Sequence, residues 1–291
     1  MTHAAAKAPP TAADPLADLG RRPLIMGVLN VTPDSFSDGG RFDDAARAVA
    51  QARLLAAEGA DVLDVGGEST RPGHAPVSAE EERARVVPVI AALRRDGEAA
   101  ALPISIDTYK AATARAALEA GAAIVNDIWG LQREPEIAHV AAAHGAPVII
   151  MHNRESADPT LDVIAEFRRF FDVSIAIARA AGIPDRHIVL DIGFGFGKSR
   201  AQNLEAIRRL PELKAFGYPV LVGASRKSTL GVLTGRPVEQ RLAATIASHA
   251  VALSLGADII RVHDVAAHVD ALRVVAGILD PEGALARAPG A

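Results

Sequence analysis

Short runs of Val, Ile and Leu alternate with longer Ala-rich stretches along most of this chain, and a polar or glycine-containing break separates each from the next. The alternation repeats eight times. The apolar runs predict strands at Leu24–Asn30, Asp61–Gly66, Leu102–Asp107, Ala122–Asp127, Ala146–Met151, His187–Asp191, Pro219–Gly223 and Ala257–Val262. Apolar residues at helical spacing predict helices at Asp43–Glu58, Ala79–Asp96, Lys110–Ala120, Glu134–His144, Leu161–Ala181, Asn203–Ala215, Val238–Leu255 and Ala266–Leu279. Gly59, Gly97, Gly121, Gly145, Gly182 and Gly256 stand where those helices should end, because glycine tolerates the left-handed turn past a helix. Strictly alternating strands and helices imply parallel strands joined by right-handed crossovers. Eight such units predict an α/β protein built as a single-domain (β/α)8 TIM barrel, with a doubly wound sheet as the alternative.

The stretch Ile25–Gly40 shows the pattern at its sharpest. An apolar run reads as a strand buried on both faces, then turns polar at Asn30 and continues through Thr32, Pro33, Asp34, Ser35, Ser37, Asp38 and a Gly pair. These are ordinary turn residues. They are also oxygen-rich and placed at a strand end, where parallel α/β folds build their sites.

Composition narrows the class. Of 291 residues, 49% are hydrophobic and only 4% aromatic, so a large core must be filled by Ala, Val, Leu and Ile. A net charge of -4 gives no global basic footprint for nucleic acid or an anionic membrane. No cysteine is present, which rules out disulfide and thiolate chemistry and fits a cytoplasmic protein. Residues 1–20 lack the continuous apolar core of a signal peptide and read as a flexible leader. Residues 21–282 then form one folded domain and 283–291 a loose tail. Leu242–Leu255, interrupted by Ser248 and His249, is too short for a membrane span. The helix containing it is apolar on more than one face and needs cover, which neighbouring helices or a second subunit could provide; a homodimer is the favoured reading.

Polar residues cluster at one end of the predicted strands: Asn30; Glu68, Ser69, Thr70 and Arg71; Asp107; Asn126 and Asp127; His152 and Asn153; Asp191; Ser225, Arg226 and Lys227; Arg261, His263 and Asp264. Taken singly, Asp127 or Asn153 reads more simply as a cap or surface residue. As a set they converge on the mouth of a barrel. Arg71, Arg226, Lys227, Arg261 and His263 form a potential cationic group suited to a phosphorylated ligand. Asp107, Asn126 and Asp191 can read the donor and acceptor edges of a heterocycle. Asn30 is a neutral oxygen ligand, better suited to a hydrated Mg2+ carried by a phosphate substrate than to a metal cage made by protein alone. Neither an HxxxH motif nor a His/Cys cluster supports zinc.

The segment Gly193–Ser199, GFGFGKS, looks like a phosphate loop but fails both tests. Ile192 stands where the Walker pattern needs glycine, and its GxGxG spacing is not that of a dinucleotide fingerprint. It remains a plausible site wall, with glycines for close approach and Phe194 or Phe196 to cover a flat ligand.

Assembled, these segments closely resemble the dihydropteroate synthase family. The matching motifs are GVLNVTPDSFSDGG at 27–40, GADVLDVGGESTRPG at 59–73, ISIDTYK at 104–110, IVNDIWG at 124–130, GFGFGKS at 193–199, GASRKS at 223–228 and RVHDV at 261–265. The resemblance implies a barrel that condenses 6-hydroxymethyl-7,8-dihydropterin pyrophosphate with 4-aminobenzoate. It further implies a pterin site of Asp107, Asn126, Met151, Asp191, Gly223 and Lys227. Asn30, Thr70, Arg71, Arg261 and His263 would hold the pyrophosphate, with Mg2+ at Asn30. Thr70, Arg71, Pro72, Phe196, Lys227 and Ser228 would border the aminobenzoate, its carboxylate near Ser228, and sulfonamide sensitivity would follow from that site. Asp107, Lys227, Arg261 and His263 are the implied catalytic residues, and Val31–Arg41 and the Thr70–Pro72 region the implied mobile loops.

The chain departs from the family pattern at Ile192, where proline is usual, and at Asn153–Arg154 after the fifth strand. The rival readings are a pterin-dependent methyltransferase domain, which has no need of the pyrophosphate set, and a non-catalytic pterin-binding paralogue.

Overall fold

The computed structural model describes residues 14–32, 41–68, 76–97 and 99–286. Its strands are β1 (Leu24–Asn30), β2 (Val62–Gly66), β3 (Ile104–Asp107), β4 (Ile124–Asp127), β5 (Val148–Met151), β6 (Ile188–Asp191), β7 (Val220–Val222) and β8 (Ile259–Val262). All pair in parallel, and β8 returns to β1, closing the barrel in chain order. The doubly wound alternative is thereby excluded.

The helices are α1 (Arg41–Ala57), α2 (Ala79–Arg95), α3 (Ala111–Glu119), α4 (Glu136–Ala143), α5 (Val163–Ala180), α6 (Arg200–Arg208), α7 (Leu210–Lys214), α8 (Ser228–Thr234), α9 (Leu242–Ser254), α10 (Val265–Leu279) and α11 (Pro281–Ala286). Two predicted helices are divided. Asn203–Ala215 breaks at Arg209, one residue before the Leu210–Pro211 pair, because proline restricts the residue ahead of it and cannot donate to the preceding turn. The helix predicted from Val238 opens instead as a 3-10 turn, Val238–Gln240, and α9 starts at Leu242. Between them Arg241 donates to the Arg236 and Arg226 carbonyls. The short α8 lies outside the eight helices read from the periodicity.

Side chains alternate between two environments, as a period of two requires. Leu24, Met26, Val62, Ile124, Ile149, Val189, Leu221 and Ile259 form one buried cluster, which fills the barrel's lower interior. Leu16, from the segment read as leader, joins that cluster. The other phase, including Ile25, Leu63, Ile106, Val125, Ile150, Leu190, Val222 and Ile260, packs outward into the shared core with the helices. At the far end α11 runs across the boundary drawn at residue 282.

Candidate active site

Continuing the inward phase toward the strand ends gives Asn30, Asp64, Asp107, Asn126, Met151, Asp191, Gly223, Arg261 and His263. The expected polar mouth is therefore a consequence of strand periodicity. Register places Asn30 beside Gly66, Gly66 beside Asp107 and Asp107 beside Asn126. Gly66 leaves room between two of these polar groups: a methyl group there would lie 3.5 Å from Asp107 Cβ and 3.9 Å from Asn30 Oδ1.

Arg261 is the hub. Its Nε donates to Asp64 Oδ2 at 2.6 Å and its NH2 to Asp107 Oδ2 at 2.7 Å. Asn126 Nδ2 donates to the same Asp64 oxygen at 3.2 Å. Burial works against the Arg261 charge, but Asp64 and Asp107 more than offset it and hold the guanidinium protonated. Burial pushes the Asp107 carboxyl up to about 7 against the pull of Arg261. Asp191 is raised to about 6 by burial, although its Oδ1 accepts from the Gly193 amide at 2.8 Å. Asp64 Oδ1 and Asn126 Oδ1 are buried with no hydrogen-bond partner. Such atoms are costly to leave unmet, so these two are ready acceptors for a ligand.

Asp64 was missed as a site residue. It lay within a predicted strand, away from the strand end, and only the inward phase of a closed barrel shows where it points. Its signal was a carboxylate inside the run VLDVG.

The expected cationic group is smaller than predicted. Arg226 forms a two-point ion pair with Asp264, at 3.1 and 2.5 Å. Burial, with Arg261 adding repulsion, lowers His263 to about 3, so its imidazole is neutral. Ser225 Oγ lies 2.9 Å from His263 Nδ1 and accepts from the His263 amide at 3.3 Å. Lys227 remains at the mouth, its ammonium 4.1 Å from the centre of the Phe196 ring. Phe194, the other candidate cover, is buried in the outer core. Ser228 opens α8 directly after Lys227.

Other strand-end residues do not join the site. Asp127 is a cap, accepting from the Trp129 and Leu131 amides, both at 2.8 Å. His152 lies in the outward phase, its ring centre 4.9 Å from that of Phe167 and 4.8 Å from that of Phe170. Asn153 Oδ1 accepts from the Arg154 amide, and Asn153 lines a separate cleft of about 370 Å3 with Trp129, Arg133 and Arg169. Glu68 binds Lys110 and accepts from the Tyr109 hydroxyl at 3.1 Å. Thr70, Arg71 and Pro72, with most of the loop 31–41, lie outside the described residues. Ile192 packs outward and its amide donates to the Leu221 carbonyl, a bond that proline could not make.

Known proteins agree with this geometry. The family model for pterin binding enzymes matches residues 26–263. The dihydropteroate synthase of Clostridium beijerinckii is 47% identical, over 85% of this chain and 91% of its own length. A crystal structure of dihydropteroate synthase from Clostridium difficile, obtained in the presence of pteroic acid, superimposes with a TM-score of 0.86 at 47% identity, covering 90% of this chain and 98% of that one. The Xanthomonas albilineans enzyme with 4-aminobenzoic acid gives 0.83 at 48% identity, covering 89% and 94%. The barrel, the inward polar set and this similarity along nearly the whole length place the chain in the pterin binding enzyme family, among the dihydropteroate synthases.

Proposed function

We infer that the protein condenses 6-hydroxymethyl-7,8-dihydropterin pyrophosphate with 4-aminobenzoate, giving 7,8-dihydropteroate and pyrophosphate for folate biosynthesis. The observation that carries this reading is the inward ring of Asp64, Asp107, Asn126, Asp191 and Arg261, with buried acceptors unmet at Asp64 and Asn126. A pterin presents ring nitrogens and an amino group that donate, and a carbonyl that accepts. Carboxyl groups held between about 6 and 7 by burial are matched to such a partner, because each can meet a donor as an anion or an acceptor as an acid. Relatives known with pteroic acid or 4-aminobenzoic acid support both halves of the product.

The residue roles proposed here are those that the family motifs imply. Asp107, Asn126 and Asp191 hold the pterin edge, while Met151, Gly223 and Lys227 border its ring. Asn30, Arg261 and His263, with Thr70 and Arg71, hold the pyrophosphate. Thr70, Arg71, Pro72, Phe196, Lys227 and Ser228 border the aminobenzoate. Because His263 is neutral, it serves the leaving group as a hydrogen-bond donor, and Arg261 supplies the charge. Pterin binding at Asp107 competes with the Arg261–Asp107 contact and turns guanidinium N–H groups toward the phosphates.

The donor set fits Mg2+ in one arrangement. Among the described residues no group of three His, Asp or Glu could hold a metal, whereas Asn30 offers a half-buried amide at the mouth. Asn30 would thus share the ion with pyrophosphate oxygens and water. Bound there, Mg2+ would neutralise charge on the departing pyrophosphate. Asp107 stabilises positive charge on the pterin methylene as the C–O bond breaks, and the aminobenzoate amine then attacks that carbon and gives up a proton. The chain's own residues orient the two substrates and exclude water, and none need form a covalent intermediate.

No helix among the described residues is long and apolar enough to cross a membrane, and the cysteine-free composition supports a cytoplasmic setting. The solution form is proposed as a homodimer. Purified protein incubated with both substrates and Mg2+ is expected to release pyrophosphate and dihydropteroate in equal amounts. Pterin binding without turnover would instead favour a binding paralogue, and methyl transfer from a methylated folate to a corrinoid a methyltransferase.

A further inference from the structure

The GFGFGKS segment contains a group that the reaction above does not use. Lys198 lies behind the site, where its ammonium donates to three backbone carbonyls: His152 at 3.2 Å, Gly193 at 3.0 Å and Phe196 at 3.0 Å. The first belongs to the segment leaving β5, the other two to the segment leaving β6. A protonated lysine has three N–H donors, and here each has one acceptor.

What these carbonyls hold is the wall of the site. The Gly193 amide caps Asp191, and the Gly193 carbonyl accepts from the Phe196 amide at 3.0 Å. Phe196 carries the ring that faces the Lys227 ammonium. The neighbouring backbone has little slack: Gly195 donates to Asn203 Oδ1 at 2.6 Å, and Ser199 caps α6 with a reciprocal Gln202 bond. Lys198 is therefore two steps from both proposed substrates, through Gly193 and Asp191 toward the pterin and through Phe196 toward the aminobenzoate. The Phe196 branch has the weaker independent support, since Asp191 also sits in a paired strand while Phe196 sits in a loop.

We propose that Lys198 is a positioning residue for the aminobenzoate subsite, its ammonium acting as a three-point tether that fixes Phe196 and thereby the ring stacked on Lys227. The proposal rests on the dihydropteroate synthase reading. It requires the charged form: a neutral amine has two N–H groups and would turn a lone pair toward one carbonyl. Burial lowers Lys198 to about 7, with Asp191 and Glu166 opposing that shift and Arg154 and Lys227 assisting it. The Phe167 ring, 5.5 Å away, is the aromatic group over the ammonium, and His152, itself pushed down by burial, brings no charge. The tether is then complete below about pH 7 and is released as pH rises through that value.

The test is steady-state kinetics of Lys198→Met and Lys198→Arg beside the wild type, with pterin affinity measured separately by calorimetry. Loss of charge-assisted bonds predicts that Lys198→Met raises the KM for 4-aminobenzoate by about tenfold or more, with pterin affinity changed less than about threefold. Lys198→Arg should recover part of that loss, and the alkaline rise in KM shown by the wild type should flatten in it. Equal losses for both substrates would mean a general structural role and overturn the proposal, as would an unchanged KM in Lys198→Met. If Lys198→Met fails to fold, Lys198→Gln takes its place, and an unchanged 4-aminobenzoate KM in it overturns the proposal. A wild type with no condensation activity strikes the functional reading instead. The tether would then be judged by the Lys198 ammonium in 15N NMR, where protons exchanging as fast as those of an exposed lysine would sink it.

Discussion

At the scale of single residues, the barrel mouth depends on charges that compensate one another out of water. Asp64 is fully buried and meets both Arg261 and Asn126. Removing one member of a buried pair leaves the other charge stranded, a loss on the order of 3 kcal/mol or more. Asp64→Ala is thus expected to lower the urea midpoint markedly, while Asp64→Asn, which keeps an acceptor for Arg261, should lose less. Arg261 keeps Asp107 in either variant, so the protein should still fold. A loss under about 1 kcal/mol in Asp64→Ala would show that Arg261 finds full compensation elsewhere. The same residue marks the limit of what the sequence discloses. Asn30, Asp107, Asn126, Asp191 and Arg261 stood at strand ends and were legible there. Asp64 stands two residues earlier, and its inward direction becomes meaningful only when eight strands share one interior. The neutrality of His263 was equally illegible, because it comes first from burial, which only the closed barrel supplies, with Arg261 adding to it.

At the scale of elements, strands were read more closely than helices. β1 coincides with its predicted bounds, and each other strand lies within its predicted run, because a strand buried on both faces has to be continuously apolar. The helices depended on local breakers, and the seven residues of α8 are too few to show a period. The segment after β6 was legible as a site wall, but its internal wiring was not. Gly193 has φ of +60°, and a Cβ there would lie 1.9 Å from the His152 carbonyl oxygen, a backbone atom that cannot swing aside. Gly193→Ala must therefore displace one of the two segments joined by Lys198. The expected result is a fall in kcat/KM of about a hundredfold, with stability lowered by only about 1–3 kcal/mol. Turnover and thermal unfolding measured on the same preparation check both parts. Activity within about threefold of wild type would mean that the loop's set is not needed for catalysis.

For the whole molecule, the open question is what covers the last long helix. Only Val265 and His268 are fully buried among the fifteen residues of α10, although that helix is strongly apolar. Val274 is 62% exposed, Ile278 73% and Leu279 63%, and Val251 on the adjoining α9 is 50% exposed. Val274 and Ile278 are four residues apart and so share a face. The apolar α9 was expected to need cover; α10 provides part of it, with the His268 ring centre 5.0 Å from that of His249, and the need passes outward to α10. In the proposed homodimer a second copy would supply a matching patch, as a two-fold interface sets one face against itself. Apolar burial contributes roughly 25 cal/mol per Å2, and a stable interface buries on the order of 1,000 Å2 or more. Two charged substitutions at the centre of that patch should therefore be decisive. Val274→Asp combined with Ile278→Asp is expected to convert a species of twice the 30.3 kDa chain mass into a monomer by sedimentation equilibrium, with far-ultraviolet circular dichroism unchanged. Both positions lie in the later half of α10, which begins two residues after His263, so activity lost on dissociation would show that the proposed dimer supports the barrel mouth through that helix. A wild type that sediments as a monomer at tens of micromolar would end the dimer proposal.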